Sequence, residues 1–226
     1  MTSAVHRIVK HENGIVEHLD YDDEILISQK FYLQGNLQER RSYWCYSGNV
    51  SHHEFYKDNK LNGECKMWYE NGQLWQQNFY REGKLEGEQK SWHENGQLFM
   101  TDFYINSNVE GERKIWHDNG QFSSRAFYQN GKIQGKYRSW NDNGRPHCQA
   151  FYKDGKVNGE WKIWDKDNMP WKEAFYLEGN LLDLDFTQRK KFALINIRKS
   201  LRPSFPTIGS HLISDLERIV YQHISG

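Results

Sequence analysis

Glutamate recurs at 64, 88, 112 and 160, and a cation stands two residues later at Lys66, Lys90, Lys114 and Lys162, with Arg138 in the same series. Carboxylates beside amines are the raw material of general acid–base chemistry. A catalytic site, however, needs one unique constellation, and these residues are copies of a single position. They read as charge ladders running across the strands of a solvated face. His93 and His117 also share a position. Equivalent residues two strands apart sit about 9.6 Å from each other, whereas two imidazoles on one zinc come within about 4 Å. They therefore read as surface histidines, and His52 and His53, adjacent on a strand, point to opposite faces. Cys45, Cys65 and Cys148 fall at three different positions with no CxxC spacing, the pattern of free thiols. No P-loop, GxSxG or dinucleotide fingerprint is present. The sequence gives no reason to expect an enzyme, a metal or a cofactor.

One stretch breaks the symmetry. Arg189, Lys190, Lys191, Arg198, Lys199 and Arg202 are six cations with no acid between Thr187 and Arg202. Two readings stay open: the solvated face of a capping helix, or a docking element for an anionic partner such as a lipid surface, nucleic acid or acidic protein.

The elements that position these residues repeat every 24 residues. Phe-Tyr stands at 31–32, 55–56, 79–80, 103–104, 127–128, 151–152 and 175–176. Trp follows in register at 44, 68, 92, 116, 140 and 164. Asn-Gly occurs at 71–72, 95–96, 119–120 and 143–144, and further glycines recur in the series that contain Gly83 and Gly87. Fixed periods of this length mark stacked supersecondary units. Each unit reads as a β-hairpin. Glu88, Lys90 and Trp92 alternate as on a strand, Asn95-Gly96 is expected to form a type I′ turn, and residues 97–104 return. Residues 105–111 read as a looser link to the next unit. The units should join into one long antiparallel meander of roughly 60–70 Å, with Phe79, Tyr80 and the tryptophans Trp68, Trp92, Trp116, Trp140 and Trp164 in ladders. Gly87 is expected where no room exists for a Cβ, and Trp92 between neighbours that bury it.

Composition agrees with a thin, ring-rich layer: apolar residues are 37% of the chain and aromatics 15%. Thirty cations balance thirty acids, which argues against a protein built to coat nucleic acid. No apolar run resembles a signal peptide or a spanning helix, so an intracellular protein is expected, neither secreted nor membrane-spanning.

The recurring FY-x-x-G-K-L-x-G-E-x-K-x-W-x-x-N-G-Q-L, seen in GKLEGEQKSWHENGQL and NGKIQGKYRSWNDNG, resembles the MORN-repeat variant over about residues 31–182. The resemblance implies an elongated, twisted single-sheet rod used for protein contacts, in some members as a homodimer, with phospholipid contact as a further implied property. Glu39, where later units have Gly, and Pro170 depart from the pattern. The segment LLDLDFTQRKKFALINIRKSLRP and the near-identical units are similar to multi-copy MORN-repeat proteins of marseillevirus-type giant viruses. That similarity implies a virion or capsid-associated component in the host cytoplasm, with capsid proteins as partners. A phospholipid-binding adaptor, a host-protein modulator and an antitoxin-like protein remain alternatives.

The ends lose the template. Residues 1–30 read as a degenerate N-terminal capping unit and 31–182 as about six full repeats plus one partial. Residues 183–226 read as a helical cap, with helices over 187–201 and 214–223 that cover the last strand's open edge.

Overall fold

The computed structural model describes residues 4–182. They form one open antiparallel sheet of eighteen strands, with no helix among them. The helices expected over 187–201 and 214–223 lie outside the described residues. Pairing follows chain order, from Ala4–Lys10 against Ile15–Asp22 to Pro170–Leu177 against Asn180–Leu182. Two of the arms are interrupted: Lys84–Leu85 continues as Gly87–Trp92, and Asn108–Val109 as Gly111–Trp116. At about 4.8 Å per strand the sheet runs roughly 70 Å.

The two turns of each hairpin exchange the characters expected of them. The tight one lies in the link between units. Arg81 and Lys84 flank a two-residue turn whose Glu82 and Gly83 have φ of 50° and 81°, the double positive φ of a type I′ turn. At the Asn-Gly end only Gly96 is left-handed, at φ 84°. There the Gly96 N–H donates to His93 O at 2.9 Å and the His93 N–H to Gln97 O at 2.8 Å. This is a three-residue loop closed by a left-handed glycine, not a type I′ turn. Asn95 is fixed by its side chain instead: its Oδ1 accepts from the Gln97 N–H at 3.0 Å.

Both edges are tied from repeat to repeat. Asn95 Nδ2 donates to Asp118 O at 2.7 Å, and Asn119 Nδ2 to Asp142 O at 2.6 Å. On the other edge the Gly83 N–H donates to Leu61 O at 2.8 Å. Where Asn59 and Ser107 replace that glycine, side chains add a bond: Asn59 Oδ1 accepts from the Leu37 N–H, and Ser107, whose N–H still donates to Leu85 O, accepts through Oγ from the Leu85 N–H. These bonds satisfy turn groups that would otherwise face water, and they fix the 24-residue period.

Gly87 sits in a β-bulge. Phe79 O accepts from the Glu86 N–H at 2.9 Å, and Gly87 follows at φ 88°. The expected lack of room is not found: a Cβ built there meets nothing within 4 Å. Glycine is required because positive φ strains other residues. A second bulge lies beside each tryptophan, where the register steps from Trp92↔Leu98 to Ser91↔Met100. Paired bulges raise the twist of the sheet.

Residues 4–30 extend the same sheet. Their first loop, Glu12-Asn13-Gly14, repeats the Asn-Gly geometry, with the Ile15 N–H donating to Asn13 Oδ1 at 3.1 Å. It stands on the edge where later repeats carry two-residue turns.

Candidate binding surface

Adjacent strand residues point to opposite faces, so Phe-Tyr puts every phenylalanine on one face and every tyrosine on the other. On the tyrosine face one row of side chains crosses the strands: Glu54, Cys65, Asn78, Gln89, Asp102 and Arg113, then Ala126, Tyr137, Ala150, Trp161 and Ala174. Several are almost sealed, with Ala150 at 0% and Asp102 at 2% exposure. Asp102 receives Arg113 Nε at 2.6 Å and Nη2 at 2.5 Å, and the guanidinium also lies 4.9 Å from the Tyr128 ring. Arg40 Nε donates to Glu54 Oε2 at 2.5 Å. Tyr56 donates to the same oxygen at 2.7 Å, and burial followed by that carboxylate pushes its hydroxyl upward. Burial pushes the Cys65 thiol up to about 11, which leaves it protonated and unreactive.

The phenylalanine face is open over its middle repeats, whereas Phe175, at 4% exposure, is buried. Phe79, Phe103 and Phe127 are 40–50% exposed. Each stands opposite a glutamate on the preceding strand: Glu64, Glu88 and Glu112. Lysines two residues on pair with those carboxylates, Lys66–Glu64 at 2.7 Å, Lys90–Glu88 at 2.8 Å and Lys114–Glu112 at 3.1 Å. Hydrogen bonds from Lys66 and Gln77 hold the Glu64 carboxyl below its usual range, and Arg125 and Lys114 do the same for Glu112. The result is a periodic surface of exposed rings separated by self-neutralised charges.

The ladder tryptophans Trp68, Trp92, Trp116, Trp140 and Trp164 are half-buried rather than sealed, whereas Trp75 and Trp171 are exposed. Trp116 stacks on Phe122 with ring centroids 5.2 Å apart. Their carbonyls also link repeats. Trp92 O accepts from the Tyr69 hydroxyl at 2.9 Å, and Trp116 O and Trp140 O accept from His93 Nε2 and His117 Nε2 at 3.0 Å. Both histidines therefore carry the proton on Nε2, a structural role that their spacing alone does not reveal.

Among the described residues no three His, Cys, Asp or Glu side chains gather as a metal site would require, and Cys45, Cys65 and Cys148 are unbridged. No helix among them is long and apolar enough to cross a membrane. The structure thus separates Phe79 from Tyr80 and puts Gly83, Gly87, Asn95 and Gly96 in turns and a bulge. The six cations from Arg189 to Arg202 lie outside the described residues. The distinction between the two faces went unread in the sequence, although the adjacency of Phe and Tyr signals it.

Residues 61–82, 85–106 and 109–130 each match the MORN repeat variant; these three successive units are similar to that family. No curated protein matches the chain.

Proposed function

We propose that the chain is a non-catalytic scaffold that binds partner proteins along its phenylalanine face. The observation that carries this reading is the row of half-exposed rings at Phe55, Phe79, Phe103 and Phe127. Exposed apolar surface with a charged surround marks contact sites, and aromatic anchors dominate binding energies. Repeats similar to the MORN variant agree, since such repeats are commonly protein- or membrane-binding. Protein is favoured over lipid because each glutamate beside a ring is matched by a lysine, which leaves the row without the net positive charge that draws a protein to an anionic surface. Residues 31–182 are the binding rod in this reading, and the cations from Arg189 to Arg202 offer a second, basic contact.

The finer reading is a structural or capsid-associated virion component of a giant DNA virus, with capsid proteins as partners. It rests on the resemblance of the tail and of the near-identical repeats. Replacing Phe79, Phe103 and Phe127 together by serine tests the scaffold. The account expects an unchanged thermal midpoint with loss of the partner from native complexes; retention of the partner would overturn it.

A further inference from the structure

In a chain of near copies, a departure confined to one repeat is where specificity can reside. On the phenylalanine face, the position of Glu64, Glu88, Glu112 and Glu160 is taken by Lys136. The position of Gln77, Thr101 and Gln149 is taken by Arg125. The register sets Lys114, Arg125 and Arg138 side by side on three successive strands. Lys136, two residues from Arg138, shares their face.

Their partners do not balance them. Glu112 serves both Lys114 and Arg125. Among the described residues neither Lys136 nor Arg138 has a carboxylate partner within ion-pair distance; Lys136 lies 5.7 Å from the Phe151 ring. Burial, and after it the nearby Arg138, hold its ammonium below the usual lysine range, with Glu160 pulling the other way.

The backbone opens at the same point. The register steps from Arg125↔Arg138 to Phe127↔Gln134, and at Gly135, φ 69°, a Cβ would meet nothing within 4 Å. A cavity of about 420 Å³ lies here, lined by Arg125, Phe127, Gly135, Lys136 and Arg138, with Glu112, the partner of Arg125, at its wall. That volume is in the range of a ligand site, and Phe127 is 50% exposed at its side.

We propose that this cavity binds a short acidic segment of a partner protein, its carboxylates held by Arg125, Lys136 and Arg138 and an apolar side chain set against Phe127. This rests on the phenylalanine face being the protein-binding surface. The flanking charges select the ligand class. Glu88 lies on one side and Glu160 with Glu173 on the other, so the cationic zone is only about three strands wide, roughly 10 Å between its outer strands. Those glutamates are matched by Lys90 and Lys162, so a nucleic acid backbone or an anionic membrane would extend past the cluster without meeting further net positive charge. A peptide can place two or three carboxylates and then change character.

The test is fluorescence anisotropy with a short labelled peptide of glutamates around one phenylalanine. Inorganic phosphate, phosphatidylserine-containing vesicles and a single-stranded oligonucleotide serve as competitors. Lys136→Glu restores the residue that the other repeats carry, so the thermal midpoint should hold while peptide affinity falls at least about 10-fold, since reversing a charge on the ligand's own partner costs more than a kcal/mol. Gln77→Arg with Glu88→Lys transplants the cluster two repeats upstream, where Gln77 faces Lys90 as Arg125 faces Arg138, and should add a second peptide site beside Phe79. Undiminished peptide binding by Lys136→Glu, or competition by vesicles or oligonucleotide stronger than by unlabelled peptide, overturns the proposal. So does a failure of the unmodified protein to bind the peptide. The scaffold reading is judged separately, by the triple phenylalanine variant.

Discussion

The two halves of the tyrosine face fill the same backbone in different ways. From Glu54 to Arg113 the buried row is polar and held by hydrogen bonds, with the Asp102–Arg113 pair at its end. From Ala126 to Ala174 it is apolar, and alanines at 126, 150 and 174 alternate with Tyr137 and Trp161. The second half solves packing by size, large beside small across strands. The first solves it by partnering, and does so incompletely: Asn78 Oδ1 and Ser91 Oγ are buried without a partner. Period and turn geometry are therefore set by the edges, where the inter-repeat bonds are common to both halves, and the buried row is free to vary.

The comparison breaks most visibly at the ion pair. Arg113→Ala leaves Asp102, whose side chain has 0% exposure, buried without its counter-charge, which should cost about 3–5 kcal/mol. Combining Asp102→Ala with Arg113→Tyr imports the downstream solution and should return stability to within about 1.5 kcal/mol of the parent. Urea unfolding of the single and double variants reads both. A double variant as weak as the single one would show that the halves are not interchangeable.

The converse graft, Ala150→Asp, places a carboxyl in a sealed position between Tyr137 and Trp161, with no arginine opposite it. It should cost about 3 kcal/mol, measurable by the same titration. A neutral outcome would mean that the row is wetter than its burial indicates.

Glycine substitution sharpens what the halves share. Gly87→Val and Gly135→Val both put a β-branched residue at positive φ, 88° and 69°, in open space. Each should lower stability by about 1–3 kcal/mol, to a similar extent. Gly87→Asn should cost less, because Asn tolerates the left-handed region. Thermal midpoints decide; an unchanged midpoint for both valines removes the strain account.

This glycine shows what the sequence allowed and what it hid. The period, the hairpins, the single sheet and the need for glycine were legible, because spacing and alternation encode them directly. The reason for the glycine was not, since crowding and positive φ leave the same residue. The turns were exchanged for a similar cause: Asn-Gly favours a type I′ turn locally, but Asn95 gains more by bonding Gln97 and the next repeat. Glu82-Gly83, with one residue that seldom adopts positive φ, gives no strong turn signal. Lys136 and Arg125 depart from the residues at equivalent positions, but a lone cation on a charged face carries no sign of the cavity beside it.

The smallest effect is acidic. Hydrogen bonds hold Glu17, Asp20, Glu64 and Glu112 below their ordinary values. A depressed carboxyl adds stability that is present above its unfolded value and lost as pH falls through the folded one. The loss therefore lies below about pH 4.5; Asp20, Glu64 and Glu112, about a third exposed, each contribute only a fraction of a kcal/mol, while Glu17 is buried. All four precede Ala126, so hydrogen exchange at pH 3.5 should rise first in the amino-terminal half. Equal rises in both halves would contradict this.

The central claim is that one face binds and the other holds the sheet. Phe103 and Tyr104 are neighbours in the chain and stand on opposite faces, so a photocrosslinking amino acid at one position or the other reads the claim directly. The account predicts a partner adduct from position 103 and none from position 104, with both variants folded. Adducts from 104 alone, or equally from both, would contradict it.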